Sequence, residues 1–314
     1  MAYAMATEKR ADDQPHGSKL YALAKNPKLP AADLKRVEGL IESYNAWRTN
    51  MDELEGDGDQ LLEGLVELLN DYKYAVEFDL IFSSENDFLY RQKGQLKLDN
   101  TVLEEFLPRL FDVRIIPGLE AIPSLECGPR KSFSGLSFSS PRMKLSDGGV
   151  FVKHKDQDFS IARTYDLSIS PSDDPADSLK EKFDVSFFAS EIKTNLDKTM
   201  FQEASQTASE LKRAVSGAKY VLLCEWLDMT PINTRLTAID EVIVLRKSKR
   251  ISSNVRSAFS TAQGRLAAQD DHSQFLKDHP LDVECFKRFR DHLTDCFPVQ
   301  DGNGEQKALA RGYF

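Results

Sequence analysis

The chain has 314 residues, enough to bury a substantial core, and 41% of them are apolar. No segment has the roughly 18 consecutive apolar residues of a membrane-spanning helix, and the first ten residues lack the apolar core of a secretion signal. We therefore expect a cytoplasmic protein with no membrane partner. The formal net charge of −9 does not exclude nucleic acid. Charges act within about 8–10 Å at physiological salt, so a basic patch can bind phosphates on an acidic protein.

The four cysteines lie far apart in the sequence, at Cys127, Cys224, Cys285 and Cys296. They form no close pair of the kind that binds structural zinc, and the wide spacing does not indicate a disulfide framework. We expect reduced thiols.

Apolar residues recur at three- and four-residue steps from 32 to 74, which predicts two helices joined by the acidic, glycine-rich turn 55–59. Residues 1–75 are accordingly assigned to an N-terminal helical region. A short strand is predicted at 76–83. A helix is predicted at 101–111, which Pro108 kinks or ends.

Residues 76–298 are predicted to form the core. The chain from 113 to 141 should be irregular because it contains four prolines. Strands are predicted at 150–153, 159–170, 184–194, 220–226 and 241–246, and helices at 198–215, 252–268 and 271–297. Residues 299–314 are predicted to be a tail. A helix between two strands favours parallel neighbours, so the fold class is α/β, with a mixed central β-sheet flanked by helices.

Glu191 and Lys193 close an apolar run that is typical of a buried strand. Residues two apart on a strand point to the same face, about 6–7 Å from each other. A carboxylate there can hold a divalent cation, and the ammonium can orient a water or stabilise a phosphate oxygen. The pair therefore indicates a metal-dependent phosphodiesterase, and Mg²⁺ is the expected ion because it prefers carboxylate oxygens.

A second metal-binding acid should come from a neighbouring strand. Asp166 lies inside the preceding strand and is expected to face Glu191. Asp184 is the alternative, but it starts the same strand roughly 20 Å away from Glu191. Glu104 or Glu105, on the earlier helix, could add a further carboxylate.

The order of these residues resembles a known pattern. Asp166, then Glu191-Ile192-Lys193 and a helix, resembles the PD-(D/E)xK nucleases. The string from Glu191 to Ala204 is similar to the active-site segment of the BbvCI-like type II restriction endonucleases. The resemblance implies Mg²⁺-dependent cleavage of double-stranded DNA at a short defined site, with Asp166 and Glu191 as metal ligands and Lys193 as the catalytic lysine. Tyr165 departs from the motif, which has proline before the first acid.

Candidate DNA contacts come from two basic segments. The first comprises Arg130, Lys131, Arg142 and Lys144, which suit base edges. The second comprises Arg246, Lys247, Lys249 and Arg250, which suit phosphates.

Cleavage of both strands requires two active sites or one that acts twice. We therefore expect a homodimer, or one subunit of a heterodimer. Two alternatives remain open at this stage: a weakly specific, repair or defence nuclease of the same superfamily, and a non-enzymatic nucleic-acid-binding α/β protein.

Overall fold

The computed structural model describes residues 14–119, 124–139, 149–170 and 178–297, together with Ser172, Pro175, Leu309, Ala310 and Gly312. Most of the predicted tail at 299–314 lies outside these residues. Within the described residues, no helix is long and apolar enough to cross a bilayer.

The N-terminal region is helical, as predicted. Helices α1 (Pro15–Ala24), α2 (Ala31–Glu53) and α3 (Gly58–Tyr74) pack through their apolar stripes. The predicted turn joins α2 to α3, and Gly56 adopts a φ of 109° there, a conformation that side-chain-bearing residues avoid.

The strand predicted at 76–83 is wrong. The chain continues from α3 as a π-helical segment, Ala75–Phe82, which buries Val76, Leu80 and Ile81. A short apolar run fits a buried helix as well as a strand, and here the preceding helix continues through it. Next come α4 (Asp87–Leu96) and α5 (Leu98–Phe106). Pro108 then lies in a 3₁₀ turn that ends the helix, as its lack of an N–H favours.

In the described chain, five strands form one sheet in sequence order: β1 (Glu126–Phe138), β2 (Val150–Ile169), β3 (Leu179–Leu196), β4 (Lys219–Leu227) and β5 (Glu241–Lys249). β1, β2 and β3 are mainly antiparallel neighbours, whereas β3, β4 and β5 run parallel. The predicted mixed central sheet is therefore confirmed.

Strand β1 corrects the prediction of an irregular chain up to residue 141. Pro129 lies at a register shift between Gly128 and Arg130, on an edge strand where a missing N–H breaks no continuous ladder. The two strands predicted at 150–153 and 159–170 are one continuous strand, β2.

Helix α6 (Lys198–Ala214) makes the predicted crossover between β3 and β4. The Asp197 side chain caps it by accepting a hydrogen bond from the Met200 N–H. Ala204, Ala208 and Leu211 pack onto one sheet face.

The other sheet face shares one hydrophobic core with the N-terminal helices. That core includes Leu62, Phe106, Phe188, Leu223 and Phe289. Phe289 belongs to α10 (Val283–Thr294). Three shorter helices lie between β5 and α10: α7 (Ser253–Ala258), α8 (Ala262–Ala267) and α9 (Gln269–Asp278). The predicted break near Pro280 separates α9 from α10.

Candidate active site

Glu191 and Lys193 lie together on β3, as their spacing predicts. The Lys193 Nζ is 2.5 Å from the Glu191 Oε1, and both side chains are partly exposed. The Tyr220 hydroxyl, from neighbouring β4, donates a hydrogen bond of 2.9 Å to the other carboxylate oxygen. Glu191 is thus fixed from two sides.

A carboxylate that sequence reasoning missed completes the group. Asp158 immediately precedes Phe159, which pairs with Ser190 on β3. The Asp158 Oδ2 accepts a hydrogen bond of 2.8 Å from the Ile192 N–H, between Glu191 and Lys193. The structure therefore brings Asp158 to the Glu191–Lys193 pair. The available sequence signal was an acid directly before the apolar run that opens at Phe159.

Asp166 does not face Glu191, so that expectation is wrong. Asp166 pairs with Lys182, nine positions along β3 from Glu191, or roughly 30 Å at the usual strand rise. Its side chain is 80% exposed, 3.7 Å from the Lys182 ammonium. The alternative, Asp184, is also remote, and it accepts a hydrogen bond from the Thr164 hydroxyl. Because the predicted strand began at residue 159, Asp158 lay just outside it and was not considered as the partner of Glu191.

Burial and mutual repulsion raise the pKa of two acids near this site, Asp158 and Glu104. Burial raises the pKa of Asp158, and the charge of Glu191 raises it further against the opposing Ile192 hydrogen bond. On α5, burial and the charge of Asp158 raise the pKa of Glu104 to about 7. Of the two helix acids suggested from sequence, Glu104 is therefore the one that interacts electrostatically with Asp158.

Glu105 has a structural role instead. It is buried, and it accepts hydrogen bonds from the Tyr44 hydroxyl and from the backbone N–H groups of His16 and Gly17.

Lys193 is held as a cation. Burial lowers the pKa of its ammonium, but the hydrogen bond and charge of Glu191 and the charge of Asp158 outweigh this and leave the pKa raised. A lysine with a raised pKa is protonated at neutral pH, which suits an electrostatic role better than that of a general base.

The donor set fits a hard divalent cation. Asp158 and Glu191 supply two carboxylates, the number Mg²⁺ commonly takes from a protein before water and phosphate oxygens complete its shell. A cation would also relieve the repulsion that raises the pKa of Asp158. Across the described ranges, no three His, Cys, Asp or Glu side chains cluster closely enough to enclose a metal. The site therefore resembles an open site that the substrate helps to complete.

Replacing Glu104 with glutamine should stabilise the metal-free protein at pH 8 more than at pH 5. The folded-state pKa of about 7 lies above the ordinary 4.5, so ionisation of Glu104 removes stability as the pH rises between these values. Glutamine cannot ionise, and the gain should be on the order of 1–3 kcal/mol at pH 8. Urea unfolding at both pH values measures this gain in stability, with Glu42→Gln, at an exposed position of α2, as the control. An equal effect at the two pH values would contradict the assigned pKa.

The candidate DNA contacts of the first basic segment differ in their surroundings. Arg130 forms ion pairs with Glu126 at 2.6 Å and Asp184 at 3.6 Å, whereas Lys131 is exposed on β1. Arg142 and Lys144 lie outside the described residues.

In the second basic segment, the proposed phosphate contact of Arg246 is wrong because this residue is buried. Its guanidinium pairs with Glu225 at 3.1 Å and Glu77 at 2.9 Å, beside the fully buried Lys73. A buried arginine needs such partners, and it is held away from solvent by them. Lys247 and Lys249 are exposed, and Lys247 pairs with Asp282 at 2.8 Å.

The model of the Bpu10I restriction endonuclease family matches residues 95–314, and the chain belongs to this family. Its members are nucleases that act on DNA. The resemblance to BbvCI-like restriction endonucleases is thereby confirmed.

The fold is also similar to that of a solved structure, the native BbvCI A2B2 tetramer, with a TM-score of 0.56 and 20% identity. That alignment covers 83% of this chain and 96% of the other. No curated protein sequence matches the chain.

Proposed function

We propose that this protein is a type II restriction endonuclease that hydrolyses double-stranded DNA at a defined site with Mg²⁺. The observation that carries the proposal is the convergence of Asp158, Glu191 and Lys193 on one point of the sheet, in a member of a restriction endonuclease family. Asp158 takes the role that the sequence resemblance gave to Asp166.

Asp158 and Glu191 would hold the metal. When bound, Mg²⁺ activates a water and neutralises charge that develops on the phosphate. The Ile192 N–H fixes the orientation of Asp158, and the Tyr220 hydroxyl fixes that of Glu191. Both carboxylates are therefore oriented before the substrate arrives.

Lys193 would serve the phosphate directly. Its protonated ammonium lies beside Glu191, where it can orient the attacking water and stabilise the negative charge that grows on the phosphate oxygens. The Glu191 carboxylate keeps Lys193 in this position until DNA binds.

Double-stranded DNA is the proposed partner, and the acting unit is a homodimer or one half of a heterodimer. Two strands require two cuts, and a symmetric pair of chains supplies two equivalent sites. The similar BbvCI structure is described as an A2B2 tetramer, which keeps the heteromeric arrangement open for this chain.

The test is digestion of a long, fully sequenced phage DNA with the purified protein, with Mg²⁺ or with EDTA. We expect discrete Mg²⁺-dependent fragments, whose mapped ends give the recognition site. A smear would instead support a weakly specific nuclease. Nicked circles from a plasmid substrate would indicate that a second type of subunit is missing. Intact DNA at all Mg²⁺ concentrations would contradict an endonuclease formed by this chain alone.

A further inference from the structure

A cavity of about 100 Å³ lies next to the candidate active site. Thr194 and Asn195, the two residues that follow Lys193 on β3, form part of its wall. The cavity therefore begins within a few ångströms of the catalytic lysine backbone, since adjacent Cα atoms are about 3.8 Å apart. The remaining wall comes from the π-helical segment, α4, α5, β4, α9 and the chain that follows β5, including α7.

Three cationic side chains line this cavity: Lys93, Arg250 and Arg256. Arg250 is already paired with Asp228 at 2.9 Å. Lys93 and Arg256 have no carboxylate partner within 4 Å in the described part of the chain, and the Lys93 ammonium lies over the Tyr90 ring, 4.2 Å from its centroid. The Arg256 Nε donates to the Ile251 carbonyl at 2.8 Å, which fixes the guanidinium and leaves its two terminal nitrogens for a ligand. The cavity is thus prepared for an anion.

The acids of the wall do not cancel this charge. Glu77 is neutralised by Lys73 at 2.9 Å and by Arg246 at 2.9 Å. Asp99 is the remaining acid, and its carboxylate accepts a hydrogen bond from the Asn100 N–H. Lys93 and Arg256, which have no acid partners among the described residues, outnumber Asp99, so the cavity keeps a net positive charge.

A nucleic acid offers two kinds of group to such a cavity: a phosphate or an unstacked base. A base needs an open aromatic face. The rings here already contact other side chains: Trp226 stacks on Phe275 at 4.9 Å, and His272 stacks on Phe82 at 3.9 Å. Trp226 is only 7% exposed. Although much of the wall is apolar or aromatic, its two cations without acid partners favour a phosphate over a base.

Helix α4 leads from the cavity toward an acid of the active site. Lys93 of the cavity wall lies on α4, and Lys97 follows that helix and directly precedes α5, which carries Glu104. The cavity wall and Glu104 therefore belong to two consecutive helices.

We propose that this cavity binds a backbone phosphate of the DNA strand next to the bond that is cleaved, with Lys93 and Arg256 as its charged ligands. Thr194 and Asn195 supply polar side chains at the same place. The inference rests on the proposed function, since it names a second contact of the same substrate. A contact of this kind carries no sequence information and sets the register of the strand at the active site.

The test is the salt dependence of DNA binding in EDTA, where no cleavage occurs, with a duplex that contains a site mapped by the digestion above. Each phosphate contact contributes about 0.9 to the slope of log K against log salt. Lys93→Gln and Arg256→Gln should each lower this slope by about 1 and weaken binding. Lys93→Arg should keep the wild-type slope. Lys35→Gln, at an exposed position of α2, is the matched control.

Unchanged slopes for both glutamine variants, in a protein that still cleaves, would overturn the phosphate site and leave the proposed function standing. A wild-type chain that neither binds nor cleaves DNA would overturn both. Thermal unfolding of each variant shows whether a loss of binding comes from loss of the fold, and retained binding by Lys93→Arg excludes that explanation at this position.

Discussion

Asp158→Asn should abolish DNA cleavage, on the order of a thousandfold or more, whereas Asp166→Asn should cleave like the wild type. Asparagine retains an oxygen that can accept the Ile192 hydrogen bond, so the local structure is kept while the negative charge is lost. Removing a single group that stabilises the transition state electrostatically typically costs about 10²–10³-fold in rate, and the loss of a metal ligand should cost at least as much. Asp166 is the matched control because it lies exposed and roughly 30 Å away.

The measurement is the initial rate of cleavage of a single-site plasmid at saturating Mg²⁺, followed by a Mg²⁺ titration. If only the metal affinity of Asp158→Asn is reduced, high Mg²⁺ restores part of the rate. The reverse pattern, with an active Asp158→Asn and an inactive Asp166→Asn, would show that Asp158 is not a catalytic residue. Glu191→Ala serves as the inactive reference, and activity in that variant would contradict the whole site.

Lys73→Met should destabilise the protein by about 3–5 kcal/mol. The Lys73 ammonium is fully buried, 2.7 Å from Glu225 and 2.9 Å from Glu77, and it also donates to the Asp99 carbonyl. Methionine fills similar space but leaves the buried Glu225 and the largely buried Glu77 with Arg246 as their one cationic partner among the described residues. An uncompensated buried charge costs far more than the ion pair itself contributes.

Equilibrium unfolding in urea at pH 7 measures this loss, provided that the slope with denaturant stays constant. Lys287→Met is the control. Lys287 also contacts three acids, Asp59, Glu63 and Glu284, but at the surface, where water replaces the lost interactions. A loss for Lys73→Met no larger than that of the control would show that the carboxylates of the cluster take up protons instead.

Much of the sheet could be predicted from the sequence because its central strands are continuous apolar runs. The segments 220–226 and 241–246 correspond to β4 and β5, and the amphipathic pattern at 198–215 corresponds to α6. A parallel strand that is buried on both faces has a nearly continuous apolar sequence, which can be recognised from that segment alone. The parallel crossover then followed from the helix between β3 and β4.

The edge of the sheet and the helix ends could not be read in the same way. β1 contains Gly128, Pro129 and a run of serines, residues that normally interrupt strands, and its pairing with β2 is set by tertiary contacts. The π-helical segment Ala75–Phe82 has no periodicity of its own that distinguishes it from a strand.

For a related reason, Glu191 and Lys193 of the candidate site could be predicted from the sequence, whereas Asp158 could not. Glu191 and Lys193 share one strand, so their proximity follows from backbone geometry alone. The partner of Glu191 depends on the register of the β2–β3 hairpin, and a single sequence does not fix that register across a long loop. The prediction of Arg246 as a surface cation was wrong because its partners come from the π-helical segment and β4, which are distant from it in sequence.

The shared core has a consequence for work with shortened chains. The family match begins at residue 95, yet Tyr44, Leu62 and Leu69 of the preceding helices pack in the same core as Phe188 and Leu223 of the sheet. A fragment trimmed to the matched segment would keep α5 and α10 on this face of the sheet. It would lose the apolar residues of α1, α2, α3 and the π-helical segment from the core and deprive Glu225 of Lys73. Such a fragment should aggregate on expression, so exchanges between relatives need a junction ahead of α1.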